Sequence, residues 1–73
     1  MEIEEMIENL IKEKKYTELK AQLKEMKSAD VSAVLDTLNK EDAVIVFRLL
    51  SKEKAGMTFS YMETDMREKL IQN

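Results

Sequence analysis

MKSADVSAVLDTLNKEDAVIVFRLLSKEKAGMTFSYM, residues 26–62, carries its apolar side chains on a beat of twelve. One column runs Leu23, Leu35, Phe47, Phe59, and extends outward to Ile11 and Ile71. A second is Met26, Leu38, Leu50, Met62. A third, Leu19, Val31, Ala43, Ala55, is broken at Arg67, and a fourth is Val34, Val46, Thr58, Leu70. Within a unit such as Val31, Val34, Leu35 and Leu38 the spacing is that of one face of an α-helix. Twelve residues less a short turn leave helices of about 9 or 10 residues. Helices below about 12–15 residues are marginal alone, so each must be held by its neighbours. The pattern predicts an all-α array of five to six short helices with a period of about twelve residues, stacked as in a solenoid with one helix per unit. A compact bundle of equally long helices is the alternative. One continuous helix is disfavoured, because a twelve-residue period does not hold a stripe on one line.

The punctuation of the array is unusual. The 73 residues contain one Gly and no Pro, so polar caps must end the helices. Thr17, Ser28, Asn39, Ser51 and Thr64 are of the types that accept from a free backbone N–H. Acids that suit the helix dipole follow several of them: Glu18, Asp30, Glu41 with Asp42, Glu53, and Asp65. The expected helices are 2–13, 17–26, 29–38, 40–50, 52–62 and 65–72. The first is the least sharply bounded, since the Lys12–Lys15 stretch offers no clean cap and helices one and two could merge there. Gly56 is expected where helix backbones approach closely, together with Ala43 and Ala55.

Composition excludes much chemistry. There is no Cys, His or Trp, so thiol nucleophiles, disulfides, zinc fingers and histidine bases are out. The net charge is −3 and the pI about 5.0, which argues against a nucleic-acid partner. The longest apolar run is Ala43–Phe47, far short of the roughly 20 residues of a membrane span. The acidic start, MEIEEMIENLIKEKK, is not a signal peptide. A cytoplasmic location and no direct membrane insertion are expected. No nucleophile elbow or Gly-rich phosphate loop occurs. Acid pairs such as Glu4 with Glu8, Glu5 with Glu8, or Glu63 with Asp65 could be a general acid and base, hard-cation ligands, or solvated surface. Asp30, Glu41, Asp42, Glu53, Glu63 and Asp65 are candidates for weak contact with a hard divalent cation, with no tightly bound cofactor expected.

Leu23, Leu35, Leu38, Phe47, Leu50 and Phe59 are the expected core. Phe47→Ala is therefore expected to cost roughly 3–5 kcal/mol, because it deletes a large core side chain. Met26, Met62 and Met6 read as core filling, and Tyr16 and Tyr61 as half-buried. Met57 and Met66 fall off the main columns; the edge of the core is the ordinary reading of both, and they are the candidates for an interface. Leu70 and Ile71 are the expected apolar end of the array, where self-association is a further option.

Residues 26–72 resemble the N-terminal cytosolic domain of MgtE-type magnesium transporters. The resemblance is carried by Met-Lys-Ser-Ala-Asp-Val at 26–31, by Val34-Leu35-Asp36-Thr37-Leu38, by Phe47-Arg48-Leu49-Leu50-Ser51-Lys52-Glu53-Lys54-Ala55, and by Phe59-Ser60-Tyr61-Met62. Asp30, Leu35, Leu38, Phe47, Arg48, Leu50, Ala55 and Phe59 match the family's pattern by position. The resemblance implies a right-handed superhelix of short helices, preceding a CBS-domain pair and a membrane pore and moving with magnesium occupancy. Two departures stand out. The family's junction prolines are replaced, most clearly by Ser51, and its Ala-Ala-Glu becomes Ala55-Gly56-Met57, so an acid used toward magnesium is missing at Met57.

The expected function is therefore non-enzymatic: residues 1–73 as one domain, a piece of a longer transporter, regulating it by docking on the CBS domains beside the transmembrane domain at the cytosolic face. The alternative is a structural adaptor of flagellar-motor or scaffold type that mediates protein contacts.

Overall fold

The computed structural model describes residues 2–71. It contains α1 (Glu2–Lys12), α2 (Tyr16–Glu25), α3 (Ser28–Thr37), α4 (Lys40–Leu49), α5 (Lys52–Tyr61) and α6 (Thr64–Ile71), with no strand among the described residues. The expected boundaries fall within a residue or two of these. The expected end of the last helix at residue 72 lies outside the described residues.

Four of the five junctions share one backbone form, repeated every twelve residues. Met26, Leu38, Leu50 and Met62 each leave the helix in an extended conformation, with φ of −88°, −93°, −74° and −83°. Each donates its N–H to the carbonyl three residues back, on Leu23, Leu35, Phe47 and Phe59, at 3.1–3.2 Å. The next residue is also extended at Lys27, Asn39 and Ser51. At the same phase the carbonyls of Lys27, Asn39, Ser51 and Glu63 accept from Val31, Ala43, Ala55 and Arg67. Two extended residues thus link successive helices, and no positive φ is needed. That accounts for the missing glycines.

The α1–α2 junction is built differently. Lys14 has φ 58°, in the left-handed region. Its N–H reaches the Ile11 carbonyl at 3.0 Å, and the Lys15 N–H reaches Leu10 at 2.9 Å. This pair of bonds is a Schellman motif, which usually has Gly where Lys14 stands. The two helices therefore do not merge.

Side-chain caps occur where Asn39 Oδ1 accepts from the Asp42 N–H at 2.8 Å and Ser51 Oγ from the Lys54 N–H at 3.2 Å. The other expected caps are displaced. Lys15 and Lys27 hold the cap positions of α2 and α3 without a side-chain bond, which puts Thr17 and Ser28 inside the helices. Thr64 is the first residue of α6.

Packing skips a helix: α2 lies on α4, α3 on α5, and α4 on α6, with α1 against α2 and α3 also touching α4. The buried core consists of Ile7, Ile11, Leu19, Leu23, Val31, Val34, Leu35, Leu38, Ala43, Val46, Met62 and Met66. Burying each Leu, Ile or Val stabilises by about 1.5–3 kcal/mol. The Cα radius of gyration is 11.0 Å, close to the roughly 11 Å expected of a globule this long.

Several expectations are corrected. Phe47, Leu50 and Phe59 are only partly buried, whereas Leu23, Leu35 and Leu38 are fully inside. The two rings stand 6.1 Å apart at 59°, at the edge of the core. Met66, an interface candidate, is 5% exposed and belongs to the core. The reason is Arg67, whose guanidinium leaves the apolar column, so the buried stripe of α6 shifts by one residue and the flexible Met66 fills it. Met6, Tyr16 and Tyr61 are exposed rather than buried or half-buried, because each sits off the stripe its helix turns inward. Gly56 is not at a close approach: a Cβ there would meet nothing within 4 Å.

Candidate functional site

Two basic residues depart from the residue type that recurs at their phase of the twelve-residue repeat, and both reach across to another helix. Lys54 stands in phase with Glu18, Asp30 and Asp42, where an acid would suit the helix start. Its Nζ instead donates to the carbonyls of Leu23 at 3.3 Å, Lys24 at 3.0 Å and Met26. These are carbonyls at the end of α2, where the dipole is negative. All three ammonium protons thereby find acceptors. Arg67 stands in phase with Val31, Ala43 and Ala55. Its Nε donates to the Phe59 and Met62 carbonyls at 3.1 Å, and its Nη2 to Ser60 at 3.2 Å. The guanidinium carbon also lies 5.2 Å from the Phe59 ring centre, within reach of a cation–π contact. Sequence reading missed both roles, although the broken column at Arg67 and the cation in the acid phase at Lys54 were visible signals.

The Lys54 clasp forms one side of a groove. A cavity of about 160 Å³ is lined by Lys20, Leu23, Lys24, Leu49, Leu50, Ser51 and Lys54. A neighbouring cavity of about 490 Å³ shares Lys24, Ser51 and Lys54 and adds Ser28, Glu53 and Met57. The two share residues along one depression between the outer face of α2 and the α4–α5 junction, lined by leucines and by the clasped Lys54, with Lys20 and Lys24 exposed beside it.

The acidic candidates are distributed differently. Asp30, Glu41, Glu53, Glu63 and Asp65 are exposed, and Asp42 is half-buried. Asp30, Glu41, Asp42, Glu53 and Asp65 occupy first turns, where the dipole already gives them a structural role. Asp30 lines a groove of about 490 Å³ with Ile3, Glu4, Glu25, Met26 and Val34. Among the described residues no three such side chains come close enough to hold a metal ion. Mg²⁺ demands near-octahedral oxygen ligation, and the described residues bring together no set of side chains that would supply it.

Of the interface candidates, Met57 is 58% and Ile71 69% exposed, and Leu70 is half-buried. Tyr61, one turn beyond Met57 on α5, is 57% exposed. No helix among the described residues is long and apolar enough to cross a membrane.

Residues 26–73, more than half of the chain, match the family model described as the MgtE intracellular N domain. No curated protein and no solved structure matches the chain. The matched region starts at the first of the repeating extended junctions, and α1 with α2 precedes it. By this match, and by the short-helix array that carries it, the chain belongs to the MgtE intracellular N-domain family, as a non-enzymatic regulatory or interaction domain.

Proposed function

We propose that the chain regulates a magnesium transporter by docking on neighbouring CBS domains at the cytosolic face of the membrane, as one domain of a longer polypeptide that includes the transmembrane pore. Membership of the family over residues 26–73 carries this reading. The packing of α2 on α4, α3 on α5 and α4 on α6 supports a superhelical array, and we read it as the family's right-handed superhelix. The exposed first-turn acids Asp30, Glu41, Glu53 and Asp65 support a role for Mg²⁺ at the docked surface. Each offers one carboxylate, so a facing domain must complete any ion's ligation. Like-charged surfaces repel until a divalent ion screens or bridges them, and the docked population then rises with the ion's differential affinity.

Titration separates the parts of this reading. Mg²⁺ added to the isolated chain should produce no localised, saturable amide shift in the millimolar range. The same ion added with a CBS-domain pair from a relative should produce saturable shifts on the acidic helix starts. Binding to the CBS pair without Mg²⁺ dependence would leave a constitutive adaptor. No binding under either condition would remove the regulatory reading.

A further inference from the structure

We infer that the lysine-rimmed groove between α2 and the α4–α5 junction is a second docking site, and that its occupant is an acidic amphipathic helix of a partner polypeptide. The inference rests on the reading of this chain as an interaction domain, but not on control by Mg²⁺.

Charge complementarity is the first argument. The chain carries net charge −3, yet the inner cavity is lined by Lys20, Lys24 and Lys54 and by no acid. Lys20 and Lys24 are four residues apart on α2, hence on one face, and both are exposed. The α5 N-terminus at Ser51 lies beside the negative end of α2, whose carbonyls Lys54 already engages, so the free cationic groups offered to a ligand are Lys20 and Lys24. Glu53 is the one acid along the adjoining part. A cationic rim of this kind selects carboxylates.

The shape supplies the second argument. Leu23, Leu49 and Leu50 line the inner cavity, and Met57, 58% exposed, borders its extension. A volume of 160 Å³ is close to that of an apolar cavity that admits a benzene-sized group, about 150 Å³. One leucine- or phenylalanine-sized anchor fits, with a second contact at Met57. Apolar anchors at helical spacing are how an amphipathic helix lies in a groove, and the exposed Lys20 and Lys24 favour acids on that helix's flank. A lipid surface is disfavoured by the same shape, since the apolar atoms lie in a depression rather than on a protruding face.

The third argument is rigidity. Lys54 is fixed by three carbonyls of α2, so the two walls are tied together before any partner arrives. A preformed groove loses less entropy on binding.

The test uses a synthetic helical peptide with Leu at i, i+3, i+4 and i+7 and Glu on the flanks. Its controls are the same peptide with Lys for Glu, and vesicles of phosphatidylserine. The acidic peptide should bind and shift the amides of Lys20, Lys24, Leu49, Leu50 and Met57. Raising the salt should weaken it. The exposed double variant K20E/K24E should lose ten-fold or more in affinity while keeping its melting temperature, and M57E should lose several-fold. Equal binding of the basic peptide, insensitivity to K20E/K24E, or shifts confined to other faces would overturn the proposal, as would tighter binding to vesicles than to peptide. If CBS-domain docking persists in K20E/K24E while the acidic peptide fails to bind wild type, the groove proposal falls and the regulatory reading stands.

Discussion

Gly56 and Lys14 are in each other's kind of place. Gly56 sits in the interior of α5, exposed, with open space where a Cβ would go. Nothing there requires glycine, and its backbone freedom weakens the helix. Gly56→Ala should stabilise the chain by about 1 kcal/mol, read as a higher urea midpoint at unchanged slope. Lys14 holds a left-handed conformation that Gly adopts without strain. Thr58 is the third residue at odds with its position. It continues the column of Val34 and Val46, it is 0% exposed, and its Oγ1 has no hydrogen-bond partner. Valine has the same shape without the orphaned hydroxyl, so Thr58→Val should gain about 1–2 kcal/mol; a loss in thermal melts would show that the hydroxyl is satisfied. At this scale the sequence was legible where a residue follows its column and illegible where a long side chain leaves it. The column placed Leu35 and Leu38 correctly. It misplaced Met66, because nothing in the spacing tells that Arg67 swings toward the α5 carbonyls.

The helices are each too short to persist alone, so their ends matter as much as their faces. The extended exits at Met26, Leu38, Leu50 and Met62 satisfy one carbonyl per helix end. Lys54 and Arg67 satisfy further ones on α2 and α5. Lys54 does so across about thirty residues of chain, tying the start of α5 to the end of α2. Lys54→Met keeps the aliphatic stem and removes the donors. It should cost about 1–2 kcal/mol, at or below the lower end of the range for charged hydrogen bonds, because the group is only partly buried. Amide exchange should quicken most at the end of α2 and the start of α5, and a uniform change would count against the clasp. Helix positions were legible because apolar phase and junction spacing agree. Only Asn39 and Ser51 revealed themselves as caps, since backbone geometry chose Lys15 and Lys27 for α2 and α3 regardless of side-chain type.

Across the whole molecule the leading column changes character from end to end. Ile11, Leu23 and Leu35 are 7%, 1% and 0% exposed, Phe47 and Phe59 are half-buried, and Ile71 is 69% exposed. Phe59 and Ile71 sit on α5 and α6, for which the described residues include no helix two places on, whereas Phe47 stands on α4, packed on both α2 and α6, and is half-buried all the same. Equal spacing in sequence therefore does not mean equal burial. Leu35→Ala should cost about 2–5 kcal/mol, whereas Phe47→Ala should fall short of the roughly 3–5 kcal/mol of a fully buried Phe. A domain of this length has about 4–11 kcal/mol in total, so the Leu35 variant should be partly unfolded under mild heating and the Phe47 variant should not. The reverse order would mean that the two ends of the column are equally covered. The same logic bounds what could be read about the site. The acids were visible singly, but the groove is made by Lys20 and Lys24 meeting Lys54 across some thirty residues, and no local pattern announces such a meeting.

The extended junctions have one more consequence, and it concerns the denatured chain. Ser51 has φ −63° and ψ 160°, the conformation favoured for a residue that precedes proline. Lys52 is the first helical position after it, where an N–H is spare and proline's fixed φ already suits the helix. The native backbone is therefore shaped for a ring that the sequence does not use, and the disordered ensemble keeps freedom that folding must remove. Lys52→Pro should restrict that ensemble and raise stability by about 0.4–1 kcal/mol without adding a native contact. A lower melting temperature would mean that the Lys52 N–H has a partner after all.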